Sequence, residues 1–510
     1  MDKNLLSTAI AIIIYLILML VIGFHFSRSN KDIGDYYLGG RKLGPFAVAM
    51  SAEASDMSSW LLMGLPGLAY TFGLAEATYT ALGLAIGTYL NWLIVSKRIR
   101  VYSQHLDVIT IPQFFSRRYH DEKNLLNALA AVIIILFFIP YTASGFAACG
   151  KLFHSMFGLN YEFSMGLSAV VIMLYTTTGG FMAATMTDVI QGVVMSIALI
   201  IVMAFGVHSA GGSAAVVASA KDLSGYLSFT EIYNRELGLA QPYGFLSIAS
   251  MLAWGLGYFG MPHVLLRFMA IEDKEQLTLS RRVAMVWVIV SLAVAVLIGI
   301  IANALTQFGV LPILEGADAE TSIIRISAIM GGKGIGAAFV GGIILAGILA
   351  ATMSTSDSQL LAASSSASQN IMSDFLGYKM SERQSMIVAK AVTLIIAIVA
   401  VFLAADPASS VFEIVSFAWA GFGATFGPVV LLALFWKNSN KYGAFAGMAA
   451  GAVMIMVWKY KISPMGGVWA IYELLPAFLF ALLVNVLVSL LSGGASEDVK
   501  KEFEEYKAAL

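Results

Sequence analysis

Residues 51–70 read SAEASDMSSWLLMGLPGLAY. They lie inside an apolar run of about 45–72 that is long enough to cross a bilayer. The run nevertheless holds Ser51, Glu53, Ser55, Asp56, Ser58 and Ser59, followed within two turns by Gly64, Pro66 and Gly67. A charged side chain at the bilayer centre costs about 2.5–3.5 kcal/mol on insertion scales, so each one there needs a reason. Proline removes a backbone donor and clashes with the preceding turn, while glycine adds backbone freedom. Together these residues predict a helix broken near its middle, with carbonyls and amides turned toward a cavity. The competing reading is a kinked packing helix whose polar residues bond to its neighbours.

A second segment, AWGLGYFGMPHVLLRFMA (253–270), is interrupted in the same manner by Gly255, Gly257, Gly260 and Pro262. Paired interruptions at corresponding positions of two halves point to the binding site of an inverted-repeat transporter. The chain therefore reads as an all-α integral membrane protein with about thirteen transmembrane helices. They are placed at 6–26, 45–72, 74–96, 124–153, 161–181, 186–207, 243–267, 283–307, 335–368, 387–405, 410–436, 443–458 and 466–492. The two broken segments are five helices apart, which gives two inverted five-helix repeats of LeuT-like plan, each opening on a broken helix. In that division 1–44 is an N-terminal span and loop, 45–207 the first repeat, 208–242 an extracellular loop and 243–436 the second repeat. Residues 437–492 are two peripheral spans, and 493–510 a charged, solvated cytoplasmic tail.

The ninth stretch contains GILAATMSTSDSQLLAASSSASQ (347–369). Ala351, Ser354, Thr355 and Ser358 fall at i, i+3, i+4 and i+7, on one helical face. Two hydroxyls with backbone carbonyls make an oxygen cage that suits Na⁺, with Asp357 on a different face. Hydroxyls in membrane helices also bond back to their own carbonyls, which is the alternative here.

Composition agrees with a membrane chain. Of 510 residues 59% are hydrophobic and 12% charged, against roughly 25% charged in soluble domains. A net charge of −1 excludes a basic track for nucleic acid. Cys149, the one cysteine, excludes an internal disulfide and a thiolate cluster, and reads as a small residue in a buried helix. The stretch Leu6–Gly23 is preceded by scarcely basic residues and is read as a retained first span, not a leader. GGKGIG (331–336) lacks P-loop spacing, and Gly443, Gly447 and Gly451 form a stripe for close helix packing. No separate soluble domain and no catalytic set is expected: the chain reads as a carrier, not an enzyme.

Most of the 30 Lys and Arg collect on one side. The loops on that side hold Arg28, Lys31, Arg41 and Lys42, then Lys97 to Lys123, Arg267 to Arg282, Lys379 to Lys390, Lys437, Lys441 and the tail. The positive-inside rule then puts the N-terminus outside and the C-terminus in the cytoplasm.

SDMSSWLLMGLPG (55–67), WGLGYFGMPH (254–263) and MSTSDSQLL (353–361) resemble the sodium:solute symporter family. YTTTGGFMAATMTDVIQ (175–191) looks like that family's signature, and the likeness runs from YYLGGRKLGPF (36–46) to FGPVVLLALFW (426–436). It is closest among the proline carriers, which implies Na⁺-coupled uptake of L-proline across a cell inner membrane by alternating access. The resemblance further implies a Na⁺ site made by the carbonyls of Ala54, Met57 and Ala351 with the Ser354 and Thr355 hydroxyls, and with Asp56 associated. For the solute it implies Ser58, Trp60, Tyr141, Trp254, Tyr258 and Pro262, a set that suits a compact ring between aromatic faces and a secondary ammonium near π faces. Asp188 resembles a residue on the ion's exit path; a loop aspartate capping a helix is the other reading. Glu53 and Ser59 depart from the resemblance, which has small residues there. Another small solute (a different amino acid, pantothenate or a sugar) and a solute sensor without transport remain as competing functions.

Overall fold

With no water in hydrocarbon to satisfy backbone groups, apolar runs of this length can only be helical. The computed structural model describes residues 2–27 and 33–510, without the side chains of Ser27, Ile33, Tyr175, Thr178 and Glu382. Arg28 and Lys31 of the first charged loop lie outside the described residues. Among those residues ten helices are long and apolar enough to cross a membrane, or up to eleven if the bent pair Phe245–Gly260 and Pro262–Ala270 is one span. The segment 45–72, which is interrupted, and Tyr161–Leu174, which is shorter, are not among the ten. The break expected between 181 and 186 falls a little earlier, at Gly180. Within Tyr161–Ser209 the backbone leaves the helical conformation at Gly180 (φ 69°, ψ −174°), where one helix ends and the span Gly180–Ser209 begins.

The helix Ile335–Ser365 is the central post. It packs against Tyr161–Ser209, Lys3–Ser27, Leu125–Phe157 and Pro45–Ser59. From Gly341 onward nearly all of its residues are buried, Ser354, Thr355 and Ser358 included. The glycine stripe behaves as expected: a side chain at Gly443 or Gly451 would collide with Asn485 and Ser489 or with the Ala424 backbone.

One rim carries a two-stranded antiparallel hairpin, Glu231–Asn234 on Leu239–Pro242, with Glu231 opposite Pro242. Beside it Tyr226 Oη donates to the carbonyl of Ala69 at 2.8 Å, which fastens this rim to the end of the 45–72 segment.

The opposite rim carries the tail, and the expectation of a solvated extension is wrong. Glu497–Ala508 is a helix capped by Ser496, and Val499, Phe503 and Tyr506 are buried. Tyr506 stacks on Tyr102 with ring centroids 4.0 Å apart and donates to the Leu434 carbonyl at 3.1 Å. Arg118 sits over the Tyr102, Tyr119 and Phe503 rings. The apolar residues at i, i+4 and i+7 are a periodic stripe that the surrounding charges conceal.

Candidate functional site

The first interruption lies at Ser58, upstream of the glycines and proline that announced it. Ser58 has φ 50° and ψ −170° inside Pro45–Ser59, a positive-φ conformation that a residue with a side chain rarely adopts and that costs about 1–3 kcal/mol. Its hydroxyl accepts the Trp60 N–H at 3.1 Å, so the serine caps the helix that restarts beyond it. A wide turn at Trp60–Gly64 then leads into Leu65–Phe72, where Pro66 stands in the first turn. That placement explains why the proline does not break the chain itself: first-turn N–H groups have no intrahelical partner to lose.

The second interruption follows the glycines closely. Ala253–Gly260 is a tight 3₁₀ segment, Met261 is extended (φ −79°, ψ 107°) and Pro262 opens the next helix, with a bend of 48°. Gly87 and Gly255 meet backbone to backbone: a Cβ at Gly87 would lie 2.3 Å from the Gly255 carbonyl oxygen.

The two interruptions face each other. Tyr258 Oη donates to Asp56 Oδ2 at 2.6 Å, and Tyr141 Oη donates to the Asp56 carbonyl at 3.1 Å. The Trp60 and Trp254 rings are 5.4 Å apart, and Phe412 lies 6.0 Å from the first and 5.3 Å from the second. Tyr472 stacks on Trp254 at 5.2 Å. Trp419 donates its indole N–H to the Trp254 carbonyl at 2.8 Å. Of the expected solute residues, Trp60, Tyr141 and Trp254 line the enclosed space together with Asp56 and Trp419, whereas Ser58, Tyr258 and Pro262 do not line it. The space is only about 10 Å³, room for about one water molecule at most; the rings fill it. Phe412, Trp419 and Tyr472 were not anticipated. Phe412 and Trp419 stand seven apart on one helix face, the periodicity that could have found them.

On the far side of the same half-helix, Ser354 Oγ lies 2.8 Å from the Ala54 carbonyl and 3.2 Å from that of Ala351. Thr355 Oγ1, one residue on, is buried without a hydrogen-bond partner among the described residues. The Met57 carbonyl accepts the Trp60 N–H. Thus Ser354 joins the Ala54 and Ala351 carbonyls, with Thr355 next to it in the chain, while the Asp56 carboxylate turns away toward Tyr258.

Asp188 is neither in a loop nor a cap. It sits within Tyr161–Ser209 and is fully buried. Its Oδ2 accepts from Ser51 Oγ at 2.6 Å and from Arg267 Nη2 at 3.2 Å. Arg267 also reaches Ser51, the His263 carbonyl and Ser358. Counting Arg267 among loop cations is therefore corrected: it is 1% exposed. Ser358 belongs to the Ser354 face, so this ion pair closes that stripe at the tail rim. A second buried pair stands near the hairpin rim. Lys151 Nζ is 2.9 Å from Glu320 Oε2, and Glu320 also accepts from Ser410 Oγ and the Val411 and Phe412 N–H groups. Neither residue was singled out in the sequence, because isolated charges at span ends read as loop.

The sodium:solute symporter family model matches residues 36–451. The sodium/proline symporter of Escherichia coli (strain K12) is 40% identical over 499 residues, 97% of this chain and 95% of that one. An osmoregulated proline transporter of Bacillus subtilis (strain 168) is 38% identical over 481 residues, 94% of each. Among solved structures, a Na⁺-coupled sialic acid symporter in a substrate-bound outward-open state superposes with a TM-score of 0.78 at 18% identity, over 96% of this chain and 99% of that one. A nucleobase-cation-symport-1 family transporter gives 0.55 at 14% identity, over 92% and 98%; these two share the fold. The interrupted segments, the hydroxyl stripe and the match across most of the length lead to one conclusion: the chain belongs to the sodium:solute symporter family.

Proposed function

We propose that this chain carries L-proline into the cell together with Na⁺ by alternating access. The observation that carries the reading is the aromatic chamber between the two interruptions, with Ala54 and Ser354 in contact one turn away. Na⁺ binds among the carbonyls of Ala54, Met57 and Ala351 and the hydroxyls of Ser354 and Thr355. It ties the split helix to the central post and steadies the half-helix that presents Trp60 and Asp56. Proline enters as Trp60 and Trp254 swing apart, its ring between aromatic faces and its ammonium toward Asp56 and the π faces. Ser58, Tyr141, Tyr258 and Pro262 fix the shape around it. Opening of the Arg267–Asp188 pair then gives the ion a way out past Ser358. The identity of the relatives, proline carriers at 38–40% over nearly the whole chain, supports the solute.

Thirteen crossings fit this scheme once 45–72 and the stretch before Gly180 each count as one, with two inverted five-helix repeats, the hairpin rim outside and the tail rim in the cytoplasm. The driving force suffices. One charge moving through 100 mV contributes about 2.3 kcal/mol and a tenfold Na⁺ gradient about 1.4 kcal/mol, together enough for about 500-fold accumulation.

The test is radiolabelled proline uptake into proteoliposomes with and without an inward Na⁺ gradient. Gradient-driven accumulation is expected. Uptake of a different solute only would overturn the substrate, and solute binding without uptake would make the chain a sensor.

A further inference from the structure

The helix Leu277–Gln307 starts on the tail rim, where Lys274 Nζ donates to the Ala509 carbonyl at 2.7 Å. Val283, Val286, Val290 and Val294 stand at i, i+3, i+7 and i+11 along it, on one face. They form one wall of an open groove of about 520 Å³, and Leu199 and Ile200 of the span Gly180–Ser209 form the other. The floor is closed by Trp287, whose indole N–H donates to Ser196 Oγ at 2.9 Å, and by Met50 of the first half-helix. Val286, Val290 and Ile200 are 67%, 51% and 52% exposed, so the groove opens sideways, toward the bilayer.

Its end nearest the tail rim is basic. Arg282 lines the groove there, is exposed and has no ionic partner among the described residues. Glu275, the nearest acidic residue along the chain, is taken by Lys97 at 2.9 Å. Arg281 adds a second cation at that end, its guanidinium 5.7 Å from the centre of the Tyr89 ring. From Arg282 to Val294 the groove runs about 18 Å along the helix. That is close to the depth of one leaflet, half of a hydrocarbon core of about 30 Å.

Lipid against the outside of a bundle ordinarily meets a single wall. A chain in this groove meets two walls and a floor, and dispersion contact grows with each. Water is no substitute, because valine offers it no hydrogen-bond partners. The mouth adds selectivity for charge, since a basic pocket between helices at the membrane surface draws an acidic head group. We propose that the groove is a binding site for an acidic phospholipid, with one acyl chain between the valine wall and Leu199 and the phosphate head group at Arg282. The site is separate from the aromatic chamber and does not depend on which solute is carried. Met50 lies one turn before Ala54 and is held against Gly192, where an added Cβ would come 2.7 Å from its Cε. The bound chain therefore props the half-helix that carries Ala54.

Trp287 reports on the groove. The full-length chain is placed in phosphatidylcholine bilayers with a varied minor share of phosphatidylglycerol or phosphatidylcholine brominated in the acyl chains, and quenching of indole fluorescence is read. The part due to Trp287 is the difference from Trp287→Phe, or from Trp287→Tyr where the first is not monodisperse. Half-maximal quenching of Trp287 is expected at about fivefold lower content of the acidic lipid, the advantage one cation gives. Arg282→Gln is expected to abolish this preference and Arg282→Lys to keep most of it. Equal quenching by the two lipids in the unaltered chain means annular lipid only and overturns the proposal. An unchanged preference in Arg282→Gln also overturns it, by placing the head group elsewhere. So does the absence of Trp287 quenching by either lipid, which shows the groove filled by protein.

Discussion

The Arg267 guanidinium and the Asp188 carboxylate, 79 residues apart in the chain, meet at 3.2 Å with side chains 2% and 0% exposed. Removing one member of such a pair strands the other, at about 3–5 kcal/mol. Arg267→Met is therefore expected to melt well below the unaltered protein in detergent. Combining it with Asp188→Leu is expected to restore part of the loss, since a buried pair replaced by apolar groups is often neutral. Equal melting temperatures for the unaltered, single and double variants would contradict a closed, dry pair.

The pair near the hairpin rim is lopsided. Glu320 accepts four hydrogen bonds, two of them from the backbone at the start of Val411–Phe435, while Lys151 donates two. Glu320→Ala is expected to lower thermal stability more than Lys151→Met does. The reverse order would show that the helix start does not depend on this carboxylate.

Ser354→Ala and Thr355→Ala are each expected to raise the Na⁺ concentration for half-maximal proline uptake about tenfold, the equivalent of 1.4 kcal/mol of ion binding. Uptake measured across a Na⁺ series decides it. An unaltered Na⁺ dependence in both would remove these hydroxyls from the site.

Trp254 touches Trp60, Phe412, Trp419 and Tyr472 at once. Trp254→Ala is expected to weaken proline competition about tenfold, a loss near 1.4 kcal/mol, and to let a six-membered cyclic imino acid compete better than it does against the unaltered chain. If selectivity between the two rings stays the same, the solute does not sit against this indole.

Ending the chain after Ser496 removes Phe503 and Tyr506, buried side chains that contribute about 1.5–3 kcal/mol each when fully covered. The truncated protein is expected to melt earlier, with Arg118 and Tyr102 opened to solvent. An unchanged melt would mean that the tail helix sits on the rim without binding it.

The elements that broke the membrane rule were the ones legible in the sequence. Charge and glycine inside 51–70 and 253–270 marked both interruptions, and the spacing of Ala351, Ser354 and Thr355 gave the hydroxyl face. The position of the first interruption was not legible, because the positive-φ residue is a serine that caps the next helix and the obvious proline sits harmlessly in a first turn. Arg267 looked like any loop cation, since its neutralising partner is in a different helix. Pairings of that kind depend on tertiary packing, which local spacing does not record. The docked tail was hidden for another reason: its apolar stripe is narrow and wrapped in glutamate and lysine.

The glycine contact at Gly87 and Gly255 limits how the molecule can move. With main chains touching and no side chain between them to slide on, the helix around Gly87 and the 3₁₀ segment around Gly255 have to travel as one strut. Angular change must then be taken up at Met261, directly after the 3₁₀ segment, where the chain is already out of helical register. A bulkier residue at position 87 would wedge the strut apart and leave the protein folded but stalled.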